Sequence, residues 1–596
     1  MDTIKNISPL GSLKALTPEF LSWNSWGSVV KDAKKSLAVL RLASFPVNTK
    51  TSSNSPTTSN EVKVVGPEFF LKDYQAKEAD AQAIVEDIIV SFSLNKEQER
   101  AFRIIANHAS SLTAPPLKMY LGGMGGTGKT QVIKALITLF IRRNEAHRFA
   151  VVAPTGNAAA NIGGSTYHSL LGIRIDEKDG HGDRIKNEAA LIAEAKTKLK
   201  GVEYIFVDEI SMVSSREFYS ICARLSEILN KPDIVFGGVN MIVAGDFAQL
   251  PPVGGHPLYH RFTNFSMNTK QKEYDQLSLL GLLYWHQFTT VVILKENMRQ
   301  KTQSAEDAKF RNCLENMRYG SCTQENLEFL YSRIAGPNPD QPQLTDPHFR
   351  NVPIITAWNA QKDRINDIGA LRFANDTGQV LSHFYSIDSI ASSSRENGKT
   401  CSRKLKVGPS MQKVSSEMRH ALWSAPPATS QHFAGKLSLC IGMPVMIRNN
   451  DATELCITKG QEGTVAGWES IKGPEGVDVL DTLFVKLSNP AKDVSLPGLP
   501  LNVVPMVRIS LSICASLPND TIQYIKREQV QVLPCFAMTD FAAQGKTRPY
   551  NVVELMHGKN HLSYYTSLSR SATAKGTVIV QGFDFAKITK GINGNL

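Results

Sequence analysis

Short apolar runs without internal alternation punctuate the first half of the chain. Met119-Tyr120-Leu121, Ala150-Val151-Val152, Tyr204-Ile205-Phe206-Val207 and Asn240-Met241-Ile242-Val243-Ala244 have the length of strands. Unbroken apolarity is what a strand buried on both faces requires. Between the first two runs Val132, Leu136, Leu139 and Phe140 recur at helical spacing. The pattern predicts a parallel sheet covered by helices. Each run ends in polar residues, and open sheets of this kind bind ligands at the carboxyl ends of their strands. A second alternating region is predicted to begin near Thr290-Val291-Val292-Ile293-Leu294, to include Val352-Pro353-Ile354-Ile355-Thr356, and to resume at Thr577-Val578-Ile579-Val580. Residues 370–430 are rich in Ser, Asn and small side chains without clear period, which predicts loops. From 435 to 531 short β runs alternate with turns: Pro444-Val445-Met446-Ile447, Gly463-Thr464-Val465 and Thr482-Leu483-Phe484-Val485. These predict a small β-rich barrel.

At 596 residues the chain is too long for one core, so several domains are expected. The formal net charge of +11 favours an anionic partner, of which nucleic acid is the usual one. The eight cysteines are scattered and none forms a Cys-x-x-Cys pair, which argues against a zinc or redox motif and for reduced thiols. The longest apolar stretches, such as residues 135–141, are too short to cross a bilayer, so no membrane association is expected. Residues 1–60 are poor in acidic side chains and end in a Ser/Thr/Asn run, which predicts a disordered tail or the remnant of an upstream domain.

Chemistry enters at Gly123-Met124-Gly125-Gly126-Thr127-Gly128-Lys129-Thr130. This is a complete phosphate-binding loop, placed between a strand run and a helical pattern. Its glycines let backbone N–H groups close around phosphates, Lys129 can reach the β- and γ-phosphates, and Thr130 can hold Mg²⁺. The helix dipole adds to the attraction. The loop marks a user of ATP or GTP. Asp208-Glu209 follows the Tyr204–Val207 run, where an Asp can hold Mg²⁺ and a Glu can polarise the attacking water. Gly245-Asp246-Phe247-Ala248-Gln249-Leu250-Pro251-Pro252-Val253 follows another strand run, and the Gln249 amide can sense the γ-phosphate.

With these residues the chain resembles the petite-integration-frequency (Pif-type) DNA helicases of superfamily one, class B, from Leu94 almost to the C-terminus. Leu94-Asn95-Lys96-Glu97-Gln98 looks like the adenine-reading motif, which implies that Gln98 binds the base. The run from Ala153 through Pro154, Thr155 and Gly156, and Ser165-Thr166-Tyr167-His168-Ser169, are similar to single-strand contacts. Asp208-Glu209-Ile210-Ser211-Met212-Val213 with Phe236-Gly237-Gly238 matches the family signature. Leu294-Lys295-Glu296-Asn297-Met298-Arg299-Gln300 resembles the motif whose Arg reaches the γ-phosphate. Phe310, Leu314 and the Arg318-Tyr319-Gly320 turn continue the pattern. The segments Gly442–Asn450 and 459–465 look like the entry to an inserted barrel. Tyr564-Tyr565-Thr566-Ser567-Leu568-Ser569-Arg570 is similar to the last helicase motif, with Arg570 as arginine finger. One departure stands out. The family usually has a His-Lys-Ser-type tripeptide before Gln-Gly, and Thr539-Asp540-Phe541-Ala542-Ala543-Gln544-Gly545-Lys546-Thr547 has Phe541-Ala542-Ala543 there. The variant looks like copies in fungal and Helitron-type transposons, and Lys546 is a candidate to replace the missing cation.

The resemblance implies an α/β fold with two RecA-like P-loop motor domains and an inserted small β-barrel. The expected boundaries are a tail over 1–60, a first motor domain over 61–280, a second over 281–430 and 532–596, and the barrel over 431–531. The implied catalytic residues are Lys129, Glu209, Gln249, Arg299 and Arg570. ATP would be held by Gln98, Gly123, Gly125, Gly126, Thr127, Gly128, Lys129, Thr130, Gln544 and Gly545, and Mg²⁺ by Thr130 and Asp208. Pro154, Thr155, His168 and Thr539 would contact DNA. The expected activity is ATP-dependent movement along single-stranded DNA, 5′-to-3′, with unwinding of duplex DNA, by a monomer in the nucleus. A translocase that remodels protein–DNA complexes without efficient unwinding is the alternative. Trp285, Trp358 and Trp468 are aromatic candidates for base stacking.

Overall fold

The computed structural model describes residues 23–43, 82–111, 114–173, 184–261, 269–298, 304–338, 341–390, 414–516 and 522–591. Six strands form the first sheet: β1 (Lys118–Gly123), β2 (Phe149–Ala153), β3 (Ser165–Thr166), β4 (Tyr204–Val207), β5 (Asn240–Gly245) and β6 (Thr290–Leu294). Their order is β3-β2-β4-β5-β1-β6 and every pairing is parallel. All four residues of β4 are buried, as its unbroken apolarity requires. Helices Lys96–Ser110 and Lys129–Arg142 share one core with the sheet, while helix Ser215–Ile228 shares a second that includes Trp285. Helix Lys96–Ser110 buries Ala101, Phe102, Ile105, Ala106 and Ala109. Each large apolar side chain so buried contributes about 1.5–3 kcal/mol. A reciprocal cap between Asn95 and Gln98 starts it.

A second parallel sheet has the order Ala537–Thr539, Ile354–Thr356, Asn551–Val553, Thr577–Ile579. Between its first two strands in sequence lies antiparallel structure. One five-stranded sheet contains Pro444–Ile447, Glu462–Lys472, Asp478–Leu487, Val503–Val507 and Val532–Pro534. A three-stranded sheet pairs Ile509–Ser516 with Ile522–Gln529 and Ile387–Ile390. Strand Ser382–Tyr385 pairs with Lys436–Leu439.

Three expected boundaries move. Thr290–Leu294 lies beside β1 in the first sheet and does not open a second unit, so the first unit runs past residue 280. An edge strand with exposed Val291 and Ile293 has the same apolar composition as the first strand of a new domain, and sequence alone does not separate the two. The β-rich insertion begins near residue 382, not 431, because two short strands there pair with later ones. Trp23–Ala43, inside the expected tail, is a helix. Its Trp26 is buried and stands edge-on to Phe484 at 5.3 Å, and Lys34 donates to the Asp451 carbonyl at 3.2 Å.

Candidate functional site

Parallel strands place all their carboxyl ends on one edge, and neighbouring strands lie about 4.8 Å apart. The phosphate loop leaves β1, Asp246 follows β5 next to it, and Asp208-Glu209 follows β4 one strand further. The topology alone therefore assembles a site. Within the loop, Gly126 (φ 99°) and Gly128 (φ 86°) take left-handed conformations that other residues enter only with strain. A Cβ on Gly128 would also collide with the Gln98 amide. The Thr127 hydroxyl donates to the Met124 carbonyl at 3.0 Å, and Lys129 Nζ donates to the carbonyls of Gly123 (2.5 Å) and Met124 (3.2 Å). Thr130 is exposed at the mouth.

Gln98 is almost fully buried under the loop. Its amide donates to the Thr127 carbonyl at 3.0 Å, and its Oε1 accepts from the Asn95 N–H at 3.1 Å. Both ends thus support the loop and the helix start. The same helix start holds the exit of β6: Glu97 accepts from the Lys295 N–H at 2.6 Å, and Met298 N–H donates to the Gly126 carbonyl at 2.8 Å. Arg299 lies outside the described residues.

Asp208 is buried, and burial, with Glu209 beside it, pushes its carboxyl up to about 7 although Lys129 opposes the shift. Glu209 turns away from it at φ 53°, a left-handed conformation, and its N–H donates to Asp208 at 2.9 Å. One residue of the second parallel-sheet unit bonds Glu209 and a second lies within reach of its charge. Gln544 Nε2 donates to its carboxylate at 3.0 Å, and Arg570, fully buried, feels its charge. Arg570 is aimed by bonds from its Nε to the Thr566 carbonyl (2.9 Å) and from Nη2 to Ser569 (2.8 Å). A Cβ on Gly545 (φ 80°) would lie 3.5 Å from Glu209. Gln249 and Gln544 each keep a buried Oε1 without a hydrogen-bond partner. A carboxyl whose pKa is raised by burial and by Glu209, an exposed threonine hydroxyl and two buried amide oxygens without partners fit a nucleotide and a divalent cation.

The candidates for strand contact are held by local contacts of their own. Thr155 caps helix Gly156–Asn161, accepting from Ala158 N–H at 3.3 Å, with Pro154 half-buried before it. His168 stacks on Tyr167 at 4.0 Å, and burial lowers its pKa. Thr539 caps the short helix Asp540–Ala543 that contains the divergent Phe541-Ala542-Ala543. Lys546 is not a free replacement cation: it is paired with Glu462 and donates to the Gly460 carbonyl at 2.8 Å. Of the three tryptophans, Trp285 packs on Tyr120, Phe247 and Phe288, and Trp468 packs on Phe384. Trp358 is 50% exposed, with Lys559 Nζ 5.3 Å over its ring.

Sequence reading missed a basic cluster. Lys362, Arg448, Lys459 and His432 crowd together, with Lys362 Nζ 3.3 Å from His432 Nδ1 and Asp363 as the neighbouring acid. Burial and the three cations push His432 down to about 4. Asn450, two residues beyond Arg448, packs against Gly156, next to Pro154 and Thr155. Arg448 and Lys459 sit in a motif quoted above, but only the fold brings Lys362 and His432 to them.

Residues 93–328 match the family model described as PIF1-like helicase. That segment is similar to the PIF1-like helicases over about two fifths of the chain. An ATP-dependent DNA helicase PIF1 of Trypanosoma brucei brucei is 34% identical over 30% of this chain and 16% of its own length. An ATP-dependent DNA helicase Pif1 of Bdellovibrio bacteriovorus is 30% identical over 38% of this chain and 45% of its own. The chain thus spans less than half of either helicase. An uncharacterised protein of invertebrate iridescent virus 6 is 24% identical over 82% of this chain and 91% of its own. Among solved structures, Pif1 helicase from Candida albicans aligns with TM-score 0.55 at 20% identity, covering 83% of this chain and 95% of that one. Bacteroides Pif1 in complex with ADP-AlF3 and ssDNA aligns with TM-score 0.54 at 21% identity, covering 83% and 94%. These likenesses establish the PIF1-like fold, RecA-like α/β units built on parallel sheets, beyond the matched segment.

Proposed function

We propose that the chain is an ATP-dependent DNA helicase that moves 5′-to-3′ along single-stranded DNA and separates duplex strands. The observation that carries this reading is the hydrogen bond from Gln544, in one parallel-sheet unit, to Glu209 of the other, with the buried Arg570 close enough to feel the same charge. A nucleotide site built from two units changes shape when the nucleotide changes, and that motion can ratchet a strand. Lys129 and the loop amides would hold the phosphates, and Thr130 and Asp208 the Mg²⁺, which supplies charge neutralisation at the phosphates. Glu209 would polarise the attacking water, Gln249 would sense the γ-phosphate, and Arg299 and Arg570 would stabilise charge there. Gln98, which the resemblance assigns to the base, would have to exchange its bonds to Thr127 and Asn95 to reach it.

Pro154, Thr155, His168 and Thr539 would touch the strand, and the Lys362–Arg448–Lys459 cluster would attract its phosphates. The antiparallel structure between residues 382 and 534 would be the inserted barrel-type domain. The similar proteins support the reading, since the Bacteroides Pif1 structure is a complex with ADP-AlF3 and ssDNA. A monomer acting in the nucleus, in repair, recombination or telomere maintenance, goes with it.

A second reading has its own observation. With Phe541-Ala542-Ala543 in place of basic and hydroxyl groups, and Lys546 bound to Glu462, one strand contact would be lost. A translocase that strips proteins without separating strands fits that loss. Unwinding of a 5′-tailed duplex separates the two readings. Strand separation with ATP supports the helicase, whereas displacement of a streptavidin block from single strands without unwinding supports the translocase.

A further inference from the structure

Asp246 follows β5, the strand beside the one that carries the phosphate loop, and its carboxylate is fully buried. Burying a carboxylate costs far more than it returns unless partners are placed on it. Its side-chain partners both come from outside the first sheet. Arg318 Nη2, at the end of helix Ala305–Arg318, donates to Oδ1 at 2.6 Å. The Tyr565 hydroxyl, from helix His561–Leu568, donates to Oδ2 at 2.8 Å. The same hydroxyl accepts from the Gly125 N–H of the phosphate loop at 3.3 Å. The Arg318 guanidinium stands 6.0 Å from the Tyr565 ring centroid, and burial together with Asp246 keeps the phenol protonated. Met124 of the loop and Ala248 beyond Asp246 pack into the core that holds Phe310, Leu314, Tyr564 and Tyr565. One hydroxyl therefore joins three things: a loop amide, the end of β5 and a helix of the second unit.

We propose that Asp246, Arg318 and Tyr565 form a latch through which the second unit sets the position of the phosphate loop, with Tyr565 a positioning residue for hydrolysis. The inference rests on the ATPase reading above for its effect on turnover, but not for its effect on the loop. The latch is either closed or broken. Parting the units leaves Asp246 and Arg318 without each other in a dry site, so intermediate openings are disfavoured. Removing only the Tyr565 hydroxyl leaves the Asp246–Arg318 pair and the apolar packing in place, and frees the Gly125 amide.

The test uses the full chain, wild type and Tyr565→Phe, with two readouts: steady-state ATP hydrolysis with oligo-dT, and hydrogen–deuterium exchange of the peptide spanning the phosphate loop. Loss of a hydrogen bond to a charged group corresponds to about a tenfold fall in kcat. KM for ATP is expected to stay within about twofold, because Lys129 and the remaining loop amides are untouched. Loop exchange is expected to accelerate while exchange in β4 does not change. Asp246→Asn combined with Tyr565→Phe is expected to be less harmful than the product of the two single effects, since both remove one contact. Unchanged kcat beside an active wild type, unchanged loop exchange, or strict additivity each overturns the inference. If the wild type itself hydrolyses no ATP, the functional reading falls and the latch is judged by exchange alone.

Discussion

Glu462 shows how a single side chain can hold two parts of this molecule together. Burial raises the cost of its charge, yet Lys546 and Arg548 bring its pKa down to about 2. Both cations follow the Gln544-Gly545 segment, so the carboxylate fixes that segment against the antiparallel sheet. The sign of the pH effect follows from the lowered value. The contribution to stability is complete above the unfolded value near 4.5 and is lost as pH falls from there toward 2. Glu462→Gln is expected to lower stability by about 1–3 kcal/mol at pH 7 and to flatten that acid limb. Thermal unfolding of both proteins between pH 7 and pH 3 checks this. An equal pH dependence in the variant would show that the pair does not contribute. Residue scale is also where sequence reading was strongest. Lys129, Asp208 and Glu209 were legible because each sits at a fixed offset from a glycine or a strand run, whereas Gln544 and Arg570 came only with the family resemblance; the fold places Gln544 and Arg570 near Glu209. The partners of Asp246 were not legible, since a Tyr and an Arg about 250 residues apart carry no periodic signal.

Elements differ in how much of them the chain's pattern reveals. The buried strands β1, β2, β4 and β5 were readable from unbroken apolarity, because a strand covered on both faces has no polar alternative. Edge strand β6 and the two strands near residue 385 were misplaced, because pairing partners far along the chain decide their membership. The three-stranded antiparallel sheet depends on one buried pair. Arg527 and Asp388 are both fully buried and joined by bonds of 2.8 and 2.9 Å, and Arg527 also donates to the carbonyls of Phe433 and Leu422. Arg527→Leu leaves Asp388 as an uncompensated buried charge and is expected to cost about 3–5 kcal/mol. Chemical denaturation measures it, and a loss below about 1 kcal/mol would mean that the sheet tolerates the bare carboxylate. The N-terminal helix was unreadable for a different reason. Its residues Trp26, Val29, Val30 and Ala33 pack against segments far along the chain, and only that packing explains them.

For the whole molecule, charge is the feature with the longest reach. Within a net charge of +11, Lys362, Arg448 and Lys459 form a cluster near the Asn450–Gly156 contact, which the functional proposal assigns to the strand's phosphates. Arg448→Ala is expected to weaken binding of oligo-dT by a similar factor for every sequence and to reduce the salt slope of log K by about 0.7–1. Fluorescence anisotropy across a range of NaCl concentrations reads this, and an unchanged slope would remove Arg448 from the phosphate path.

The central claim is that strand binding and the Glu209 cleft are parts of one motor, coupled through Gln544 and Arg570. Steady-state ATP hydrolysis with and without single-stranded DNA, with Lys129→Ala as control, tests it most directly. The account predicts strong stimulation by DNA and loss of all turnover in the variant. ATP turnover indifferent to DNA would contradict it, because the segment carrying Phe541-Ala542-Ala543 would then no longer link the strand to the cleft.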